Sequence, residues 1–290
     1  MTKGIGNVEY IRQGSEVAVL DQPFWSFIYQ ASTTKHQKYN VGDRVVTPDG
    51  RVFRYGLAGG TVLDDRGAAQ HNKVNISALA PAQVADTSTI LGVPSVATGA
   101  VGSNVVTVTV GTATGGVLND GAVLADAFRG GYIVIGNESP GLVVQNRGII
   151  GNTAKAAGVA GTIQVYLDAS LSYAVTPGTT YIELIPNLYS NLQPGDASNL
   201  ECYLGIPAVK ATVGQYFWLQ TWGPTWVVPG GGWTNQGVAK ERTVVFVGDG
   251  SINGAKAVTL GDGYQVAGFI LQHDTLSSGG PPMVMLQISI

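Results

Sequence analysis

From Val105 onward the chain reads as a series of strands. Val105–Val110 (VVTVTV) alternates Val with Thr, the two-residue period of a half-buried strand. Thr162–Asp168 puts Ile163, Val165 and Leu167 on one face, and Tyr132–Ile135 is a short apolar run after Gly130-Gly131. Further strands are predicted at Thr180–Ile185, Tyr216–Thr221, Arg242–Val247, Ala257–Leu260, Tyr264–Leu271 and Met283–Ile290. Turn residues separate them: Pro177-Gly178, Pro194-Gly195, Gly248-Asp-Gly and Gly261-Asp-Gly. Upstream, Asp43–Thr47 and Arg51–Tyr55 flank Pro48-Asp49-Gly50, and Asp-Gly between β-rich runs is a hairpin signal because Gly accepts positive φ. Helix material is confined to Asp64–Asp86 (DRGAAQHNKV and ISALAPAQVAD), where Pro81 limits the second piece to a short helix. Many short strands at short intervals predict a mainly β protein, a sandwich or barrel, with little helix.

The first 38 residues have no clear period. They mix Gly4, Gly6, Gly14 and Pro23 with the aromatic cluster Phe24, Trp25, Phe27 and Tyr29. This reads as an extended N-terminal arm that docks on the body or on a neighbour, or as an edge strand with its loop. The cationic side chains thin out after about residue 80, and Thr87–Asn104 is small, polar and punctuated by Gly and Pro. The expected organisation is therefore an arm over 1–38, a hairpin with a short helical segment over 39–86, a β-rich subdomain over 87–200, and a β-rich segment over 201–290 that completes the main body.

Composition narrows the functional classes. Charged residues make up 12% of the 290, about half the usual share. A free soluble monomer keeps its neighbours away with charge, so a surface of Gly, Thr, Ser, Asn and Gln suits a protein packed into a larger object. The net charge of −3 gives no basic stripe for nucleic acid. No run of ~18 apolar residues appears, so no membrane-spanning helix is expected. The opening residues show no secretory signal, and the lone Cys202 fits a reducing cytoplasm.

Chemical motifs are weak. Gly250–Lys256 has the wrong spacing for a phosphate loop, and Ala255 separates Gly from Lys. There is no GxSxG, no HExxH and no DxDxDG. The histidines, at 36, 71 and 273, read as surface or hydrogen-bonded structural residues. Glu183 and Glu201 read as solvated strand charges rather than a glycosidase pair, and Asp64-Asp65, Asp249 and Asp262 as turn residues. The expectation is no enzyme, no cofactor and no metal.

Trp218, Trp222, Trp226 and Trp233 stand close together. On a strand, 218 and 222 share a face with Tyr216 and Gln220, while Phe217, Leu219 and Thr221 take the other, so both faces are expected to be covered. Pro224 rules out a helix interior. Three readings stay open: a buried central strand, a subunit interface, and a platform of exposed rings for sugar.

Tyr39–Thr61 (YNVGDRVVTPDGRVFRYGLAGGT) resembles a segment of virion proteins of tailed bacteriophages, often encoded near the major capsid protein. Val213–Pro224 (VGQYFWLQTWGP) follows the same pattern, as do weaker blocks at Gly130–Ile135, Leu167–Leu171, Thr176–Thr179 and Asn187–Tyr189. The first 38 residues carry no such likeness. The resemblance implies a structural virion protein that decorates or cements the capsid. Its partners would be the major capsid protein and further copies of itself, as a homotrimer. No nucleic acid, membrane or catalytic residue is implied, and the protein would be made in the host cytoplasm and end on the capsid surface. Phe24, Trp25 and Phe27 in the arm and Trp222 and Trp226 on the strand are the interface candidates. The alternatives are a short fibre or spike that binds host glycans, and a tail tube or adaptor subunit.

Overall fold

The computed structural model of the chain describes residues 16–18, 27–71, 97–110, 123–137, 144–156, 161–177, 180–195, 201–230, 242–255, 264–272 and 282–289. The chain forms two compact units, one from Met1–Asn72 with Leu188–Ile290, the other from Lys73–Asn187. The regular secondary structure of the described residues is almost entirely β-strand, in two curled sheets, which is the mainly β architecture that the alternation predicts. The expected strand at Ala257–Leu260, the Gly261-Asp-Gly turn and Trp233 lie outside the described residues.

The first unit carries an eleven-stranded sheet. Its main path runs through β1 (Glu16–Ala18), β2 (Arg44–Val46), β3 (Val52–Leu57), β13 (Tyr216–Trp226), β17 (Met283–Gln287), β16 (Val266–Gln272), β14 (Thr243–Phe246) and β15 (Ile252–Gly254). β4 (Ala68–His71), β11 (Leu192–Pro194) and β12 (Glu201–Pro207) branch from β13 through β12. β2 and β3 form the predicted hairpin, Gly50 standing at φ +83° and its N–H donating to the Thr47 carbonyl at 2.9 Å. Asp49 locks that turn by accepting from the Thr47 hydroxyl and from Arg51 Nε. Burial alone would raise the Asp49 carboxyl, but the hydrogen bonds from Thr47 and Arg51 outweigh it and hold the carboxyl below its usual range.

The stretch around residues 64–74, expected to open a helix, is strand over Ala68–His71. Ala68 and Ala69 are buried where β4 lies between β11 and β12, and two small side chains suit that close pairing. Tertiary pairing here overrides the helix propensity of an Ala-Ala-Gln sequence. The rest of the expected helical segment, 72–86, lies outside the described residues.

Three clusters fill the first unit. Val244, Phe246, Ile252, Ala267, Ile270, Val284 and Leu286 close one side of the sheet together with Tyr203. Ala58, Leu192, Leu204, Phe217 and Leu219 form a second cluster. Ile28, Tyr39, Val45, Phe53, Tyr55 and Trp218 form the third, with Phe27 packed against it. Residues 27–39 of the region read as an arm and its border therefore dock on the chain's own body: Ile28 has no exposed surface, and Ser32 pairs with Tyr216.

The second unit is a six-stranded antiparallel sheet in the order β10 (Thr180–Ile185), β7 (Tyr132–Asn137), β8 (Val144–Asn152), β9 (Gly161–Leu167), β6 (Val105–Val110), β5 (Ala97–Thr98). Strands β7, β8 and β9 form a meander, and β6 and β10 reach its two sides by longer connections, which makes two overlapping Greek keys. The sheet curls, and Gly99, just past β5, bridges Val175, on the approach to β10, with a hydrogen bond in each direction. Ile163, Val165 and Leu167 face inward as their alternation predicts, with Val106, Val108, Ile133, Ile135, Ile149 and Leu184. The compact unit runs Lys73–Asn187, against the β-rich stretch expected over 87–200; the chain is back in the first unit by Leu192, which is fully buried there. The chain leaves the first unit after β4 and returns in β11, and those two strands pair with each other. An insertion between neighbouring strands brings the host chain back to the point at which it left.

Candidate functional site

The site is built by one strand outrunning its neighbour. β13 pairs with β3 from Tyr216 to Trp222, then continues along β17 from Trp222 to Trp226. β3 begins at Val52, because the chain before it turns back through Pro48-Asp49-Gly50. Beyond Trp222, β13 therefore has no β3 residue beside it. A bulge at Thr221 marks the change of partner, since Gln220 faces Phe53 and Trp222 faces Val52. Gly223, at φ +98°, follows the bulge with the Arg51 side chain against it, and a Cβ at that position would lie 2.9 Å from Arg51 Cγ.

The half-strand beyond Trp222 is handled by two residues. Pro224 has no N–H to leave open at an edge. Gln220, 5% exposed, donates from Nε2 to the carbonyl oxygens of Trp222 (3.2 Å) and Pro224 (2.9 Å). Where a further strand would lie there is a cleft of 270 Å³. Its walls include Trp226, Met283, Tyr29, Arg51, Asp64 and Gln220. Arg51 is held on three sides: its guanidinium carbon lies 5.4 Å over the Phe53 ring, Nη1 donates to the Tyr29 hydroxyl at 3.2 Å, and Nε donates to Asp49 at 2.8 Å. Burial would lower the Arg51 pKa, and the Tyr29 and Asp49 hydrogen bonds more than offset this, so the guanidinium stays firmly cationic. Asp64 is exposed.

The tryptophans spaced four apart meet three environments. Trp218 is fully buried, its ring 5.0 Å from both Tyr39 and Tyr55. Trp222 is half-buried, and Trp226 is 45% exposed. From Phe217 to Thr221 five consecutive residues are buried, so both faces of that half-strand are covered as expected, whereas the second half opens. Trp222, Pro224 and Trp226 stand opposite Gln287, Met285 and Met283 of β17, the strand whose Val284 and Leu286 point into the core. Phe269 of β16 lies opposite Met285, with Leu271 40% exposed nearby. This side of the sheet, away from the core, carries a band of apolar side chains.

Of the interface candidates, Trp222 and Trp226 share this outer side of β13. Phe27 stands apart from them, half-buried, 4.4 Å from the His36 ring and 6.1 Å from the Trp218 ring. Phe24 and Trp25 lie outside the described residues. Of the cleft groups, Tyr29 reads in the sequence as part of the arm's aromatic cluster and Asp64 as a turn residue, while Arg51 and Met283 carry no signal as site residues; the four come from distant segments.

The remaining chemical candidates fall into structural places. Gly250–Gly254 is turn and strand β15, and Lys256 lies outside the described residues. Asp65 and Asp249 hold Arg66 at 3.0 Å each, and Asp249 also accepts from the Ser251 N–H at 3.0 Å. The Asp249 carboxyl would be raised by burial, yet the Ser251 hydrogen bonds and Arg66 keep it low. The side chains of Glu183, Glu201 and His71, like the whole of Asp262 and His273, lie outside what is described. Among the described residues no three of His, Cys, Asp and Glu converge in a way that could hold a metal ion.

Comparison with family models, with curated proteins and with solved structures finds no match.

Proposed function

We propose that the protein is a structural component of a tailed-bacteriophage virion that decorates or cements the capsid by bridging neighbouring major capsid subunits. The observation that carries this reading is the apolar band on the larger sheet, where Pro224 of β13, Met285 of β17 and Phe269 of β16 stand in one row of the register, Met285 and Phe269 half-buried, with half-buried Trp222 next along β13 and Leu271 40% exposed at the bulge of β16. Contiguous apolar surface of this kind marks contact sites, and Trp, Phe and Met are the residues enriched there. The low share of charged side chains supports the same reading. The resemblance adds to it: Tyr39–Thr61 and Val213–Pro224, its two most specific blocks, contribute the paired strands β3 and β13 and bury Tyr39, Phe53, Tyr55 and Trp218 in one cluster.

Such a protein acts by repetition. A contact of ~800 Å² per partner is ordinary for one specific pair, and many symmetry-related copies turn it into a large collective stabilisation of the shell. A homotrimer on a local three-fold axis would let each copy make the same contact. The test is to add the purified chain to undecorated capsids and image them. The expected result is density on the shell at a local symmetry axis, weakened by Met285→Asp. Density confined to the tail or to fibres would overturn the assignment.

A further inference from the structure

We propose that the cleft beside the far half of β13 binds a neutral saccharide. The volume of 270 Å³ lies just below the ~300–1,000 Å³ of sites for drug-sized ligands, and so suits a ligand of about one sugar ring. A sugar ring has two faces of C–H bonds and a rim of hydroxyl groups, and the cleft provides for both. The apolar wall is Trp226, 45% exposed, with Met283 opposite it in the strand register. An exposed indole face is the surface on which a C–H face stacks.

The polar groups divide into acceptors and donors. Asp64 offers an exposed carboxylate. Gln220 has committed its amide N–H groups to the carbonyls of Trp222 and Pro224, so what it presents to a ligand is its amide oxygen. The Tyr29 hydroxyl, which accepts from Arg51, still has its own hydrogen to donate. Hydroxyl groups both donate and accept, and a polyol matches such a mixed set. Charge settles which saccharides fit. Arg51 and Asp64 both line the cleft, one cation and one anion, and Arg51 is also paired with Asp49 at 2.8 Å. An anionic sugar would meet the Asp64 carboxylate unfavourably and would find Arg51 already paired, whereas a neutral one meets walls of balanced charge.

The groups are also pre-placed. Gln220 is fixed by two hydrogen bonds, and Arg51 by Phe53, Tyr29 and Asp49. Little side-chain freedom is lost on binding, which favours affinity.

The test uses the purified full-length chain and no capsid, so its outcome is separate from that of the decoration experiment. Methyl glycosides of glucose, galactose, mannose and N-acetylglucosamine are titrated by ligand-observed NMR and by tryptophan fluorescence, beside glucuronic and sialic acid. At least one neutral glycoside is expected to saturate. Trp226→Ala and Asp64→Asn should each weaken it about tenfold, with Trp226→Phe between Ala and the native protein and the thermal midpoint unchanged. Val213→Ser, an exposed change elsewhere, should leave binding as it was. The proposal is overturned if no neutral glycoside saturates, if only the acidic sugars bind, or if Trp226→Ala binds as well as the native chain.

Discussion

The side-chain amide of Gln220 donates to the backbone carbonyl of Pro224 at 2.9 Å, four residues further along the same strand. The pair does the work of a missing neighbour. Gln220 supplies donors where β3 has ended, and Pro224 brings no N–H that would need an acceptor. A half-strand that could recruit another chain by edge pairing is closed by its own sequence, and the space left over becomes the cleft.

Replacing Gln220 by Leu keeps the bulk and removes both donors. The carbonyls of Trp222 and Pro224 then lose their partner, and a stability loss of about 1–3 kcal/mol is expected. Chemical denaturation of the two proteins measures it. Equal midpoints would show that solvent serves these carbonyls as well as Gln220 does.

Two glycines with nearly the same backbone angle should respond differently to Ala. Gly50 stands at φ +83° with nothing within 4 Å of an added Cβ, so Gly50→Ala should cost only the left-handed conformation, about 1–2 kcal/mol. Gly250 stands at φ +79°, and its Cβ would lie 2.5 Å from the Gly67 carbonyl oxygen, inside a turn where Gly67 N–H donates to the Gly250 carbonyl. Gly250→Ala should therefore cost clearly more, because backbone must move. Thermal midpoints ranked the other way round would contradict the close approach of the two turns.

Ile28 tests whether residues 27–39 belong to the body. It is fully buried beside Tyr39, Phe53 and Trp218, and Ile28→Ala should cost about 2–5 kcal/mol. A near-neutral result would return this segment to the status of a detachable arm. Glu16–Ala18 already pair with Arg44–Val46, so a truncation meant to probe capsid binding without loss of a sheet strand has to stop before Glu16.

His36 should make the docking of that segment sensitive to acid. Burial first, and then the Lys38 charge, lower its pKa below 6.5. Its ring packs on Phe27 and Tyr39, Nδ1 accepts from the Lys38 N–H at 3.1 Å, and the Tyr55 hydroxyl accepts from the His36 N–H. Because the folded value lies below the unfolded one, the unfolded chain takes the proton first. The stabilisation is thus complete above pH 6.5 and is lost as the pH falls from there to the folded value. His36→Asn keeps a side-chain acceptor but does not titrate. Urea unfolding followed by tryptophan fluorescence between pH 5 and 8 should show a slope in the native protein that is reduced in the variant; identical slopes would assign the titration elsewhere.

Local chemistry was enough to set the β class, the Thr47–Arg51 turn and the inward face of β9, because turn preference and alternation act over a few neighbouring residues. The Ala-Ala-Gln stretch defeated local reasoning, since its conformation is set by β11 and β12 on either side. Spacing alone likewise could not tell Trp218 from Trp226. A bulge at Thr221 and the point at which β3 ends decide that one is sealed in a core and the other faces a cleft. Arg66 and Asp249 are 183 residues apart yet share an ion pair, and the cleft joins segments just as remote. Which strand stops first, and what then stands opposite its neighbour, depends on pairings closed across the length of the chain, and only the folded structure contains them.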